Sequence, residues 1–248
     1  MSLPKPYYDK DGITIYHGDC MEILPLLGEV DVTVSSPPYN QISAVGESAF
    51  LKNRKLCDGY DGYGDNMNEA EYQEWMVDVF GICLELSKGV VWVNHKTRYR
   101  NKAGIHPLRF FSWPLHCEII WDRRGCTIPG STRFSSSHET IHGFGEPHYW
   151  DKDQSKYMSV WSITPERNIE WHPCPFPMEI ARRCILASCP QDGIVLDPFM
   201  GSGTTLVAAK KHGRRAIGIE LNRAYCDGTV RRLAESGSWS WNPKRKQI

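Results

Sequence analysis

The sequence predicts an α/β fold whose core is a doubly wound, mostly parallel sheet. Short apolar runs rich in β-branched residues, typical of buried strands, recur along the chain, as in VDVTVSS (30–36) and GIVLDPF (193–199). Between such runs, apolar residues recur at helical spacing, most regularly in 69–87 and in 178–189. Strands that alternate with helices favour parallel pairing, because each helix carries the chain back across the sheet.

The predicted elements follow one another in a regular order. The strand ITIYHGD (13–19) and a short helix near 21–27 lead to the strand 30–36, which two prolines terminate because proline lacks a backbone donor. A loop without periodicity, 41–68, precedes the helix 69–87. The remaining predicted elements are the strands 90–94, 115–121, 138–144 and 158–163, the helix 178–189, the strand 193–199, the helix 204–213, the strand 214–220 and a helix at 224–235.

Composition indicates one domain over residues 1–248. With 248 residues, of which 41% are hydrophobic, the chain can form one sizeable core. It has no apolar stretch near the roughly 20 residues of a membrane helix and no signal-peptide pattern at its start. Its 9 cysteines include no C-x-x-C pair, which is typical of reduced thiols. We therefore expect a cytoplasmic protein with no membrane partner, and both a monomer and a homodimer stay open.

Charge gives only a local indication of partners. The formal net charge is +0 at pH 7, without the basic excess of many nucleic-acid-binding proteins. Basic residues cluster in KTRYRNK (96–102), at Arg123 and Arg124, and in KRK (244–246). These clusters could contact phosphates, although runs this short more often form solvated surface.

A turn of small residues in MGSGTT (200–205) opens the helix that follows the strand 193–199. Such a turn lets a ligand approach the backbone N–H groups at the start of a helix. Glu220 ends the next strand, 23 positions after Asp197 in the sequence. At this spacing a carboxylate can accept hydrogen bonds from the ribose hydroxyls of a nucleoside. The lysine of a phosphate-binding loop is absent from this turn. The pattern favours a nucleoside-type cofactor over a plain strand-to-helix turn.

The segment SPPYN (36–40) begins at Ser36, where the predicted strand 30–36 ends. Its prolines make a stiff turn and cannot donate hydrogen bonds to nearby carbonyls. The Ser36 hydroxyl and the Pro37 carbonyl could orient the N–H bonds of an attacking amino group, and the Tyr39 ring could stack on an extruded base. A proline-stiffened structural turn with a surface tyrosine fits the same residues equally well.

Taken together and in this order, these motifs resemble those of the β-group, circularly permuted DNA amino-methyltransferases. In that family the catalytic turn precedes the cofactor loop. The resemblance implies a Rossmann-like, S-adenosylmethionine-dependent methyltransferase sheet with a permuted motif order. The matching segments are HGD (17–19), SPPYN, HPCPFPMEIARR (172–183), DPFMGSGTT (197–205) and GIELN (218–222).

The resemblance also implies roles for individual residues. Asp19, next to Cys20, would hold the adenine of S-adenosylmethionine, and Glu220, near Asn222, would hold its ribose. The catalytic residues would be Ser36, Pro37, Pro38 and Tyr39. The rest of the cofactor pocket would comprise His172, Phe176, Pro177, Asp197, Phe199, Gly201, Gly203, Thr204 and Thr205. No residue is predicted to bind a metal ion.

On this resemblance the single domain has a catalytic half at about 13–95 and a cofactor-binding half at about 172–235. The segments 41–68 and 123–170 are expected to contact double-stranded DNA, because they are long and lack periodicity. The stretch between HETIHGF and HPCPFP is short for a target-recognition domain, and Phe176 stands where many members carry lysine.

The implied reaction is methyl transfer to the exocyclic amino group of a flipped base in a specific DNA sequence, as in a restriction-modification system. In the family, serine at the first position of the turn goes more often with cytosine N4, whereas aspartate or asparagine goes more often with adenine N6. Ser36 therefore favours cytosine N4, with adenine N6 as the alternative. A module that binds cofactor or DNA without catalysis is a further alternative, against which the intact turn argues.

A competing motif lies in HETIHGFGEPH (138–148), which matches the H-E-x-x-H-x-x-G-x-x-H pattern of zinc metalloproteases. That pattern needs its first two histidines on one face of a helix. The preceding segment TIPGSTRFSSS (127–137) favours loop or strand instead. Because a protease would also leave the turns at 36–40 and 197–205 unexplained, it is a remote alternative.

Overall fold

The computed structural model describes residues 2–40, 66–100, 103–125, 134–166, 169, 171–172 and 175–237. Its helices are α1 (Cys20–Ile23), α2 (Glu69–Leu86), α3 (Met178–Ser188), α4 (Thr204–Lys211) and α5 (Arg223–Glu235). Its strands are β1 (Tyr8–Lys10), β2 (Ile13–His17), β3 (Val32–Ser35), β4 (Val91–His95), β5 (Arg98–Arg100), β6 (Ala103–Ile105), β7 (Leu115–Asp122), β8 (His138–Phe144), β9 (Val160–Ser162), β10 (Ile194–Asp197) and β11 (Arg215–Glu220). Most of the predicted loop 41–68 lies outside the described residues.

One mixed sheet organises the described part of the chain, in the order β1-β2-β11-β10-β3-β4-β8-β7-β9. The central strands β2, β11, β10, β3 and β4 are parallel. Strand β8 runs antiparallel to both β4 and β7, and β1 runs antiparallel to β2. The predicted doubly wound, mostly parallel sheet is therefore confirmed.

Helices cover both faces of this sheet. On one face, α1 and α2 bury apolar residues such as Ile23, Met76 and Phe80 against the sheet. On the other face, α3, α4 and α5 do the same with residues such as Ile180 and Leu206. The apolar spacing along α2 and α3 matches these buried faces, which explains why both helices could be predicted from the sequence.

The chain order reverses between β10 and β3, and this reversal places the site. From β10 the chain crosses through α4 to β11 on one side, and from β3 it crosses through α2 to β4 on the other. Crossover loops therefore leave in opposite directions and open a crevice at the carboxyl ends of these two strands. Open α/β sheets bind their ligands at such a switch point.

Two features of the fold were not expected from the sequence. The segment before Ile13 forms the edge strand β1, and β5 and β6 form a separate small hairpin within and after the basic cluster 96–102. The helix expected near 21–27 consists of α1 and a following 3-10 turn, Leu24–Leu26. None of the helices in the described ranges combines the length and apolar character needed to cross a membrane.

Candidate active site

Polar side chains stand in a row along the carboxyl edge of the sheet. Asp19 follows β2, Glu220 ends β11, Asp197 ends β10, Ser36 follows β3, and Asn94 lies near the end of β4. The strands occur in this same order in the sheet. Because neighbouring strands lie about 4.8 Å apart, the row forms one continuous site. Four of the five residues were predicted from the sequence, and Asn94 was not.

Asp197 connects the end of β10 to the end of β3. Its Oδ1 accepts a hydrogen bond from Ser35 Oγ at 2.6 Å and from the Phe199 backbone N–H at 3.1 Å. The side chain is buried, and burial raises the pKa of Asp197 to about 6. The Phe199 ring packs edge-on against Trp75 of α2, with the ring centroids 5.3 Å apart.

Glu220 binds the backbone on both sides of the predicted cofactor turn. Its Oε2 accepts the Gly201 N–H and its Oε1 accepts the Asn222 N–H, each at 2.8 Å. Burial raises the pKa of Glu220 to about 7. Neither Glu220 nor Asp197 has an ion pair among the described residues. Two neighbouring carboxyl groups, one buried and one half-buried, with neutral hydrogen-bond donors suit a cationic ligand.

The glycines of the turn are required by close packing. Gly201 and Gly203 adopt φ angles of +50° and +71°, which favour glycine. A Cβ at Gly203 would lie 2.2 Å from Thr229 Cγ2, and a Cβ at Gly201 would lie 2.8 Å from His172 Nε2. The sequence interpretation assigned both glycines to the approach of a ligand. The structure adds that Gly203 lets α4 pack against α5.

The threonines after the turn face the protein interior. Thr204 and Thr205 are buried in the first turn of α4. Thr205 Oγ1 contacts the Val34 carbonyl of β3 at 3.4 Å, and Thr204 Oγ1 accepts from the Arg232 guanidinium at 3.1 Å. These two residues therefore position α4 beneath the turn.

Asp19 and Asn222 each cap a helix. Asp19 is the N-cap of α1 and accepts the Met21 N–H at 2.8 Å, while Asn222 caps α5 and accepts the Ala224 N–H at 2.8 Å. Cys20 is buried, and burial raises the pKa of its thiol to about 12. Asp19 lies beside the end of β11, because the adjacent Gly18 N–H donates to the Glu220 carbonyl.

The predicted segment around His172 lies over the turn and α5. His172 is buried, its ring centroid lies 4.9 Å from that of Tyr225, and burial lowers its pKa to about 4. Pro177 is the N-cap of α3, and the half-buried Phe176 packs against the core beside it. The structure thus brings His172 next to Gly201 and leaves Phe176 at the start of α3.

The turn after β3 is held in place by its own hydroxyl groups and by the sheet. Ser36 Oγ lies 3.1 Å from Tyr39 Oη. The Pro38 carbonyl accepts from Tyr72 Oη of α2 at 2.8 Å. No hydrogen bond to the Pro37 carbonyl occurs among the described residues. The Tyr39 ring lies 4.7 Å from the His95 ring.

The buried carboxylate of Glu139 supports this turn, and this residue was not predicted from the sequence. Glu139 Oε2 accepts from Tyr39 Oη and from Asn94 Nδ2, each at 3.0 Å. Asn94 Nδ2 also lies 2.6 Å from Tyr39 Oη and 3.3 Å from Ser36 Oγ. Arg123 donates to the second Glu139 oxygen at 2.8 Å. Asn94 could have been found as the polar end of the strand VVWVN, whereas Glu139 begins an antiparallel strand.

A second network supports the turn from the face that carries α2. His95 Nδ1 accepts the Lys96 N–H at 2.9 Å, which allows its Nε2 to donate to Tyr72 Oη at 2.8 Å. Burial lowers the pKa of His95 to about 3, so its ring is neutral. Arg98 lies over the Tyr72 ring and pairs with Glu69 through two hydrogen bonds of 2.6 and 2.7 Å.

These contacts correct the expected role of the basic cluster 96–102. Arg98 is only 4% exposed and is paired with Glu69, and Arg100 donates to the Asn40 carbonyl. Arg123 pairs with Glu139. The side chains of these arginines bind partners within the protein, so they are poor candidates for phosphate contacts. The cluster 244–246 lies outside the described residues.

The zinc-protease interpretation of HETIHGFGEPH is wrong. Residues His138 to Phe144 form strand β8, and no helix carries the first two histidines. On a strand, His138 and His142 lie about 13 Å apart, too far to share one ion. Within the segment 123–170, which was expected to contact DNA, Glu139 to Phe144 are buried in this strand. DNA contact by the rest of the segment stays a prediction.

Comparison with known proteins identifies a family and several related sequences. The N6/N4 methylase family, described as DNA methylase, matches residues 30–231. The type II methyltransferase M.ScaI of Streptomyces caespitosus is 28% identical over 94% of this chain and 84% of its own length. M.SmaI of Serratia marcescens is 29% identical over 82% of this chain and 84% of its own.

Solved structures share the fold. The PvuII DNA methyltransferase, described as cytosine-N4-specific, superposes with a TM-score of 0.71 at 18% identity and covers 94% of this chain and 93% of its own. A DNA modification methylase of Thermus thermophilus, complexed with S-adenosyl-L-methionine, gives 0.62 at 23% identity over 90% and 93%. Since the family match spans most of the sequence, the chain belongs to the N6/N4 DNA methylase family.

Proposed function

We propose that the protein transfers a methyl group from S-adenosylmethionine to the exocyclic amino nitrogen of a base flipped out of double-stranded DNA. The observation that carries this proposal is the adjacency of Glu220, Asp197 and Ser36 at the carboxyl ends of β11, β10 and β3. At about 4.8 Å per strand, the first and last of these positions lie about 10 Å apart. A nucleoside with a sulfonium-bearing chain can span that distance.

The residues fit such a cofactor. The buried Asp197 and the half-buried Glu220 have no cationic partner among the described residues, and each oxygen of Glu220 keeps a lone pair beyond its backbone hydrogen bond. Glu220 would accept ribose hydroxyls, and Asp197 would hold the positively charged part. When bound, S-adenosylmethionine supplies an electrophilic methyl carbon on sulfur.

The turn supplies orientation in this proposal. The amino nitrogen of the base forms a bond to the methyl carbon as the carbon–sulfur bond breaks, and the nitrogen then loses a proton. Its lone pair must therefore face the methyl group while its N–H bonds point to acceptors. The Ser36 hydroxyl and the Pro37 carbonyl supply acceptors, and Glu139 fixes their position through Tyr39 and Asn94.

Cytosine N4 is the favoured target, with adenine N6 as the alternative. The family association with Ser36 is the main support. The Ser36 hydroxyl accepts from Asn94 Nδ2 at 3.3 Å, and its own hydrogen can be donated to the base in place of the 3.1 Å contact with Tyr39 Oη. The cytosine ring nitrogen beside the target amine could accept that hydrogen.

Identification of the methylated nucleoside tests the proposal. The full-length enzyme is incubated with mixed-sequence duplex DNA and isotopically labelled S-adenosylmethionine, and the digested nucleosides are identified by mass spectrometry. We expect labelled N4-methylcytosine. The Ser36→Ala variant, prepared in parallel, should give much less product and thereby excludes a contaminating host enzyme.

The other products have distinct meanings. N6-methyladenine alone would overturn the choice of cytosine and leave the amino-methyltransferase assignment. Labelled 5-methylcytosine, or no labelled nucleoside on any mixed-sequence DNA, would overturn the proposed function. Carbon methylation needs a thiolate nucleophile, and the turn at 36–40 contains no cysteine.

A further inference from the structure

Two histidines and a glutamate from three separate segments meet on the face of the sheet that carries α2. His142 lies on β8, Glu118 is its direct neighbour on β7, and His106 precedes the 3-10 turn Pro107–Arg109. One ligand atom from each residue lies within 4.8 Å of the others. His142 Nε2 is 3.1 Å from Glu118 Oε2, and the two imidazole centroids are 5.4 Å apart.

The buried member of this cluster has an unsatisfied ring nitrogen. His142 is 0% exposed, and its Nδ1 has no hydrogen-bond partner among the described residues. Its ring stacks on Phe144, with centroids 5.9 Å apart. Nε2, on the opposite side of the ring, faces Glu118 and is the nitrogen that a shared ion would contact.

We infer that His106, Glu118 and His142 form a binding site for a divalent transition-metal ion of the zinc type. Two imidazoles and one carboxylate are ligands that zinc accepts, with open positions left for water, whereas magnesium and calcium favour oxygen ligands. Zinc bonds of about 2.0–2.1 Å place neighbouring ligand atoms roughly 3.3 Å apart, close to the His142–Glu118 separation of 3.1 Å.

The rim of the cluster can adjust to an ion. Glu118 is partly exposed, and His106 lies on a connecting turn between β6 and β7. His106 Nδ1 accepts only a long hydrogen bond of 3.3 Å from the Leu108 N–H, which a metal ion can replace. Small movements of these two side chains would close the cluster around the ion held by His142.

The ion is assigned a structural role. Successive residues of a strand face opposite sides of a sheet, so His142 lies on the opposite face from Glu139 and the catalytic turn. A bound ion would fasten the segment 103–110 to β7 and β8. Of the first two histidines in the protease-like motif, only His142 belongs to this site. No metal ligand was predicted from the sequence.

Binding of Co²⁺ to the chelator-stripped, full-length protein tests the inference. We expect one Co²⁺ per chain, with visible d–d absorption and no thiolate-to-metal charge-transfer band. The His106→Ala and Glu118→Ala variants should bind Co²⁺ at least about tenfold more weakly, since even outer-shell partners contribute tenfold to a hundredfold to metal affinity. The His138→Ala variant removes the protease-like pattern, and we expect it to bind like the unchanged protein.

Zinc should also raise the unfolding temperature of the unchanged protein and of His138→Ala, and that of His106→Ala by less at the same zinc concentration, because a ligand of the folded state stabilises it in proportion to its affinity. No bound Co²⁺, a charge-transfer band from cysteine ligands, or equal losses in His138→Ala and His106→Ala would each overturn the inference. Because both binding and unfolding are measured without methyl transfer, these outcomes are independent of the proposed function.

Discussion

At the residue scale, Glu139 determines how the turn at 36–40, which we propose to be catalytic, is held. Its carboxylate accepts hydrogen bonds from Tyr39, Asn94 and Arg123, and the side chain is buried near the carboxyl ends of the parallel strands. Tyr39 and Asn94 in turn contact the Ser36 hydroxyl. Glu139 therefore acts through other residues, as a positioning residue.

Replacement of Glu139 should impair turnover without impairing cofactor binding. In Glu139→Gln the charge is lost, so the hydrogen bonds from Tyr39 and Asn94 weaken and the turn is less well oriented. Hydrogen bonds to charged groups contribute about 1.5–3 kcal/mol, so kcat should fall roughly tenfold to a hundredfold. Single-turnover methylation and calorimetric titration of S-adenosylmethionine measure the two effects. The exposed Glu146→Gln should change neither, and a loss of cofactor affinity equal to the loss in kcat would contradict the positioning role.

Cofactor binding should strengthen as the pH rises. Burial raises the pKa of Asp197 to about 6 and that of Glu220 to about 7, so both groups are protonated at lower pH in the free protein. A cationic cofactor prefers the ionised carboxylates, and its binding therefore releases protons. Affinity should rise by up to about tenfold per pH unit for each proton released and should level off above the higher pKa. Calorimetry in buffers of different ionisation enthalpy measures that release, and proton uptake on binding would contradict the assignment.

At the element scale, the turn between β10 and α4 packs against neighbouring elements and also forms part of the proposed cofactor site. Gly203, the N-cap of α4, allows Thr229 of α5 to approach, and Gly201 binds Glu220 of β11 through its backbone N–H. The same few residues thus hold three elements of the cofactor half together. Their backbone geometry explains why small residues occur there.

A methyl group at Gly203 should destabilise the protein. Gly203→Ala places Cβ 2.2 Å from Thr229 Cγ2 and puts alanine at a φ of +71°. Left-handed backbone costs about 1–2 kcal/mol for a residue with Cβ, and overpacking costs about 1–3 kcal/mol, so the free energy of unfolding should fall by about 2–5 kcal/mol. Urea denaturation measures the change. Gly28→Ala, where nothing lies within 4 Å of the new Cβ, should be near neutral, and an equally small effect of Gly203→Ala would contradict this account.

Most elements could be predicted from the sequence, and the exceptions have physical reasons. Strands β2, β3, β10 and β11 are buried apolar runs with a polar residue at the carboxyl end, which also made Ser36, Asp197 and Glu220 recognisable. The direction of β8 is set by its partners, so nothing local placed Glu139 beside Tyr39. Arg98 belongs to a run of cations in the sequence, and only the fold pairs it with Glu69.

At the scale of the whole molecule, the reversal of chain order between β10 and β3 brings distant parts of the sequence to one site. The Ser35–Asp197 hydrogen bond of 2.6 Å joins the two halves across that reversal. In the proposed function, cofactor bound by one half has its reactive end beside the turn of the other half. The position of the cofactor across the two halves is the central claim for the molecule, and measurement of cofactor affinity tests it.

Calorimetric titration of S-adenosylmethionine into the unchanged protein, Asp197→Ala and Glu220→Ala tests that claim most directly. Each variant should bind roughly tenfold to a hundredfold more weakly, because a hydrogen bond to a charged group contributes about 1.5–3 kcal/mol. Asp78→Ala, on the exposed face of α2, is the matched control and should bind normally. Unchanged affinity in both Asp197→Ala and Glu220→Ala, with their folds intact by circular dichroism, would contradict the account.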